Sequence, residues 1–411
     1  MLVRLSGYGL RIARTALQNK TLRASAVFAL SGLAFALGNL LLARTMAVVE
    51  FGRAALEISL LNLFAVVGPL GLDQVLLRLG AEASSRVLGR ALAVNGTVAV
   101  VTAVVAHRFY GLPSLEAGLV AMAIAASGSA NVASAGMRAR GREGVPLAMI
   151  AGTNVLLLLS GLHGVVRGGT EVPLVLATVA AGNVLIAASA WAIFASGAPS
   201  SGASSAAVRW GEAISLLGLV AVGALAVQLE RFIIPKTLGG QSLAVFSVLA
   251  SVAIFPFRLV TAGAGFALTP QLRRATTVVE RRTFVVRELR AIAALLSIAT
   301  AMIVICAPAV TRWLTGGRYD LSHLLVFAAC VSGCVKVMQS MVRAVVIGCG
   351  GHRAILTLNA IAWLSIFVSA LVGVLGSRWG LLGLIGGTAL GAFMCNIPAL
   401  AIAVKSVRAS P

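Results

Sequence analysis

Apolar runs of about 20 residues, the length that crosses the hydrocarbon of a bilayer as an α-helix, recur from one end of this chain to the other. Short polar or basic loops break them. Twelve such runs lie near 24–46, 54–72, 89–106, 117–136, 146–166, 173–195, 213–233, 242–268, 289–311, 322–345, 353–376 and 380–404. Only helices or closed barrels satisfy their backbone polar groups inside lipid, and runs of this length exclude barrel strands. The pattern predicts an all-α polytopic membrane protein of about 12 transmembrane helices, and the even number puts both termini on one side.

Charge orients the chain. Of 33 Lys and Arg, 22 fall on the side of the termini, nine on the other side, and two, Arg258 and Lys336, inside spans. By the positive-inside rule both termini are cytoplasmic. The excess over 12 Asp and Glu does not signal nucleic acid, because the basic residues sit between apolar spans rather than on a soluble surface. The basic run Arg4, Arg11, Arg14, Lys20 and Arg23 leads into a full-length span, read as an uncleaved first helix. "SGAPSSGASSAAVRW" (196–210) is rich in Ser, Gly, Pro and Ala and falls at the midpoint. It reads as a cytoplasmic linker between a first six-helix bundle (1–195) and a second (211–411). A weak repeat supports the division: "ARTMAVVEFGRAAL" at 43–56 leaves the first span as "PKTLGGQSLAVFSV" at 235–248 leaves the seventh, aligning Arg44 with Lys236, Thr45 with Thr237 and Met46 with Leu238.

Polar residues inside the spans are the candidate chemistry, since a charge at the bilayer centre is costly and normally faces a watery cavity or a partner. Arg258 lies about 4 Å along the helix from the middle of its span. Ser247, Ser251, Arg258, Thr261 and Gly265 follow helical spacing and predict one inward face. In the tenth span Ser332, Lys336, Gln339 and Arg343 form a second stripe, and neither span carries a carboxylate at comparable depth. Ser59, Asn62, Pro69 and Asp73 suggest a third face, with Glu57 nearby. Interhelical hydrogen bonding is the structural alternative for each stripe. Glu230 and Arg231 are a candidate charge pair, although neighbours on a helix point about 100° apart and so favour separate partners. Pro256 and Pro270 should bend or end the eighth helix.

Other chemistry is thin. Five cysteines without a CxxC spacing predict no disulfide framework, and four dispersed histidines form no metal motif. No nucleotide-binding or nucleophile-elbow motif occurs, so the sequence argues against an enzyme and names no cofactor.

Three stretches together carry a resemblance. "LLLARTMAVVEFGRAALEISL" (40–60), "QLERFIIPKTLGGQSLAVFSVLASVAIFPFRLVTAGAGFALTPQLRRA" (228–275) and "WLTGGRYDLSHLLVFAA" (313–329) resemble the bacterial polysaccharide and O-antigen flippases of the multidrug/oligosaccharidyl-lipid/polysaccharide exporter superfamily. The resemblance covers nearly the whole chain. Glu230 stands where aspartate is usual, and Ala244 and Val245 replace a common Gly-Leu. The resemblance implies two pseudo-symmetric six-helix bundles around a central cavity that opens alternately to either side of the bacterial inner membrane. It implies a cargo of undecaprenyl-pyrophosphate-linked oligosaccharide for O-antigen or exopolysaccharide biosynthesis, with membrane lipids and other polysaccharide-assembly proteins as further partners, and no nucleic acid. On that reading Arg258, Lys336 and Arg343 hold the lipid pyrophosphate, while Asn39, Asn62, Ser251, Thr261 and Gln339 face the glycan or the gate. A coupling ion would be a proton or sodium. The alternatives are a cation-coupled multidrug exporter, which ordinarily needs acidic residues in its cavity, and a membrane-embedded polysaccharide polymerase or ligase, which ordinarily needs a long outer loop.

Overall fold

A computed structural model describes residues 20–79, 85–142, 144–196, 210–275 and 277–408. Among them helices run as α1 (Lys20–Thr45), α2 (Val48–Val67), α3 (Leu72–Leu79), α4 (Ser85–Tyr110), α5 (Ser114–Ala139), α6 (Gly144–Arg167) and α7 (Val172–Ala195). The second half runs as α8 (Trp210–Thr237), α9 (Gly239–Leu249), α10 (Phe255–Arg274), α11 (Val278–Leu314), α12 (His323–Cys349), α13 (His352–Gly376) and α14 (Gly380–Arg408). The described residues contain no strand.

Among the described residues nine stretches are long and apolar enough to cross a membrane, the last of them, His352–Arg408, joining α13 and α14 through a single 3-10 turn. Helix α2 falls short because it carries Glu50, Arg53 and Glu57, while α8, 28 residues long, carries Glu230, Arg231 and Lys236 only in its last turns. Counted with them, and with α13 and α14 apart, the spans are twelve. The linker 197–209 and the basic residues Arg4, Arg11 and Arg14 lie outside the described residues.

Boundaries differ from the sequence reading where charge sits on a helix. The second span starts at Val48 rather than near 54 and stops at Val67. There the chain turns through Gly68 to Gly71, with Leu70 at φ 49° and Gly71 at φ 81°, so Asp73 belongs to the separate helix α3 and not to the face of Ser59 and Asn62. Helix α11 starts at Val278, not near 289, because Thr277 and Glu280 form a reciprocal capping box that fixes its first turn.

The eighth span is not one regular helix. A π-helical turn, Ala250–Ile254, separates α9 from α10 just before Pro256. Proline has no N–H to donate and its ring crowds the carbonyl four residues back, which a widened turn accommodates. Pro270 does not end the span, since α10 continues to Arg274. The extra residue in the π turn rotates everything after it.

Within the first half α1 packs on α6, and α5 on α4 and α7; within the second, α13 packs on α14, and α12 on α10 and α14. Small residues permit the close approaches. Gly376 of α13 and Gly383 of α14 sit backbone against backbone, and Gly391 lies against Ser369, where added methyl groups would collide. The halves meet chiefly along α2, which packs on α8 and α9, and where α1 crosses the π turn and α10.

Candidate functional site at the seam of the two halves

The residues around Val227–Arg231 of α8 divide two environments. Arg231 is buried and turns toward the first half: its Nη1 donates to Ser59 Oγ of α2 at 3.4 Å and to Gln228 Oε1 at 3.3 Å. Glu230, next in the chain, turns into the second half, where Lys336 Nζ donates to its two oxygens at 2.8 and 3.0 Å and Thr388 Oγ1 donates to Oε1 at 3.4 Å. The two are therefore not a hydrogen-bonded ion pair, and the candidate pairing of Glu230 with Arg231 is corrected: each has a different partner, as the helical angle between neighbours requires.

Arg258 of α10 is half-buried and donates Nη2 to the Val227 carbonyl at 3.4 Å. It lies within electrostatic range of Arg231 and Glu230. The seam thus carries two guanidinium groups, Arg231 and Arg258, beside a carboxylate already engaged by an ammonium. The formal sum is positive.

The three residues assigned to the pyrophosphate are not brought together. Lys336 is held by Glu230: its own span carries no carboxylate at that depth, but α8 supplies one. Arg343 sits elsewhere, in a cavity of about 40 Å³ inside the second bundle lined also by Gln339, Ser365 and Asn396. The absence of a side chain at Gly223 leaves room for its guanidinium. Gln339 belongs to that cavity as well, donating Nε2 to Ser365 Oγ at 3.2 Å. The stripe on α12 is real, but it turns toward α8, α13 and α14.

Most of the glycan-facing candidates are also placed differently. Asn39 is buried and donates to Phe35 O of its own helix at 2.8 Å. Ser251 is buried and donates to Ser247 O, and Thr261 donates to Phe257 O. The single face drawn through Ser247, Ser251 and Arg258 does not exist, because the π turn lies between its two ends. Asn62 remains half-buried on α2, on the same helix as Ser59. Sequence reasoning missed Arg231 as a seam residue. Its signal was the spacing of three from Gln228, a second polar group on one helical face.

At the end of the bundle opposite the termini the halves are closed on each other. Arg318 donates to Met46 O at 2.8 Å, Tyr319 meets Phe51 edge to face with centroids 6.2 Å apart, and Tyr110 donates its hydroxyl to Phe232 O at 3.3 Å. Lys236 donates to the Phe109 carbonyl and lies 4.1 Å from the centre of the Phe109 ring. Gly52 faces the Gly240 carbonyl so closely that no side chain fits.

Neither a protein-family model nor a curated protein matches the sequence significantly. Solved structures do match its fold. A multidrug resistance MATE family transporter of the MOP superfamily, in an inward-facing conformation, superposes with a TM-score of 0.67 at 14% identity, covering 92% of this chain and 94% of its own. The lipid II flippase MurJ in an inward closed conformation gives 0.69 at 10% identity, over 95% of this chain and 88% of that one. An outward-facing MATE family transporter of the same superfamily gives 0.60 at 14% identity, over 94% of each chain. The chain has the all-helical fold of these MOP-superfamily transporters and flippases.

Proposed function

We propose that this protein is a flippase that carries a lipid-linked oligosaccharide across the bacterial inner membrane by alternating access. Its termini and the 196–210 linker are cytoplasmic on this reading, and residues 1–195 and 211–411 are the two moving bundles. The observation that carries it is the sign of charge at the seam. Arg231 and Arg258 stand where the halves meet, and Glu230, the carboxylate within their electrostatic range among the described residues, is bound to Lys336. A pyrophosphate entering hydrocarbon needs fixed cations, and a guanidinium offers a planar fork to its oxygens. An organic cation would meet repulsion there.

The fold comparisons are equally compatible with a cation-coupled multidrug exporter, so the discriminating experiment compares cargoes. Purified protein in proteoliposomes is given a fluorescent undecaprenyl-pyrophosphate oligosaccharide and, separately, a fluorescent organic cation. Movement of the lipid-linked sugar, abolished by Arg258→Ala at unchanged protein level and partly kept by Arg258→Lys, supports the flippase. Movement of the organic cation alone sinks it in favour of the exporter.

A further inference from the structure

Glu57 of α2 is wholly buried, 0% exposed, and no hydrogen-bond donor reaches either of its carboxylate oxygens. Its side chain meets the carboxyl group of Glu116, itself 2% exposed in the first turn of α5. One cation serves both. Arg53, one turn before Glu57, places Nε 3.1 Å from Glu116 Oε2, and its side chain is 36% exposed, leading from the pair toward the surface.

Other charged or titratable groups at this end are placed elsewhere: Arg318 donates to Met46 O, and Arg312 pairs with Asp320. Lys236 is bound to the Phe109 carbonyl, His107 Nδ1 lies 2.8 Å from Leu112 O, Tyr110 donates to Phe232 O, and Glu50 and Glu171 stand at the first turn of α2 and the N-cap of α7. None of them contacts Glu57 among the described residues.

Two ionised carboxylates pressed together out of water repel each other, and one guanidinium balances only one of them. A single proton resolves both difficulties: it turns one carboxyl into a donor to the other, and the trio with Arg53 becomes neutral. A hard metal cation does not fit as well, because it requires a shell of oxygen ligands, and the described residues contain no group of three or more His, Cys, Asp or Glu.

We propose that Glu57 and Glu116 bind one exchangeable proton between them, reached past Arg53 from the face opposite the termini, and that this is the coupling ion of the transporter. The coupling role rests on the transporter reading; the proton itself does not. Gly52, against the Gly240 carbonyl, lies one residue from Arg53. Opening the halves at this face brings water to the pair, and loss of the proton leaves an unbalanced negative charge beside that contact. Ion occupancy and closure are thereby tied to the same turn of α2.

Infrared spectroscopy of the purified protein tests this directly, in an Asp73→Asn background that removes another, half-buried carboxyl. At neutral pH the spectrum should contain the deuterium-sensitive carbonyl stretch of one protonated carboxylic acid per chain, vanishing on alkaline titration. Glu57→Gln and Glu116→Gln, which copy the protonated shape, should each abolish it while the protein stays folded by circular dichroism. Glu116→Asp should move the band rather than remove it, and serves if a glutamine variant does not fold. Absence of the band at neutral pH overturns the proposal, as does its survival in both glutamine variants or its loss on adding sodium. Since no cargo is involved, failure of the flippase assay leaves this result standing.

Discussion

Lys336 and Glu230, 106 residues apart in the chain, form a two-pronged ion pair that ties α12 to α8 inside the second bundle. Glu230 is 2% exposed and the Lys336 side chain 22%. Removing one partner of a buried pair strands a charge and typically costs about 3–5 kcal/mol, whereas replacing both costs much less. Lys336→Met and Glu230→Gln are therefore each expected to lower the melting temperature in detergent, and the double variant to recover most of the loss. Arg343 will not substitute for Lys336, since it occupies its own cavity with Gln339 and Asn396. Equal or additive losses in the double variant would show that the pair is not coupled.

Gly52 sets how closely α2 approaches α9 at the closed end. A methyl group there would overlap the Gly240 carbonyl oxygen, backbone that has nowhere to yield. Gly52→Ala should shift the population toward separation of the halves at this face. Spin labels at Leu115 and Trp313, both exposed near this end and on opposite halves, should show a longer distance in the variant than in the wild type. An unchanged distribution would mean that other contacts hold the face closed.

The helical spans were legible because long apolar runs report directly on lipid. The weak repeat has a structural counterpart. Thr45 bonds back to Leu41 O at 3.0 Å and Thr237 to Ile233 O at 3.1 Å, and the amides of Met46 and Leu238 close the same turns on Leu42 O and Ile234 O. The site was less legible. Periodicity assigns a residue to a helix face only if the helix is regular, and the π turn before Pro256 breaks that assumption for Ser251 and Arg258. Partnerships such as Glu230 with Lys336, or Glu57 with Glu116, join distant segments and leave no local pattern. Lys336, which local reading marks as unpaired, is neutralised across the bundle by Glu230.

Tyr319, in the loop before α12, is packed against Phe51 with its hydroxyl lacking a partner. Burial pushes its phenol up to about 12, the Arg318 charge opposing. A buried hydroxyl without a partner contributes little or costs stability, so Tyr319→Phe should leave the melting temperature unchanged or slightly higher. Arg318→Ala, which removes the donor to Met46 O, should lower it. Ultraviolet titration of the wild type should show one tyrosine ionising well above the ordinary range that the Phe variant lacks. A clear loss of stability in Tyr319→Phe would reveal a partner for the hydroxyl.

Asp73 opens α3, beyond the end of the second span, with Gln74 Nε2 donating to its Oδ2 at 2.6 Å. Burial raises its carboxyl above the ordinary value of 3.8, and the bonds from Gln74 and the charge of Arg138 only partly oppose this. The native state therefore keeps this proton to higher pH than the unfolded chain does. Stability falls with pH wherever the folded state binds more protons. Asp73 thus contributes no penalty below about pH 3.8, a growing one as pH rises from there through its folded value, and a constant one above. Asp73→Asn keeps an acceptor for Gln74 and carries no charge. Melting temperatures of the two proteins should converge at low pH and separate as pH rises, with the asparagine variant the more stable at neutral pH. A wild type that gains on the variant as pH rises would show that Asp73 is held by an attractive charge stronger than its burial.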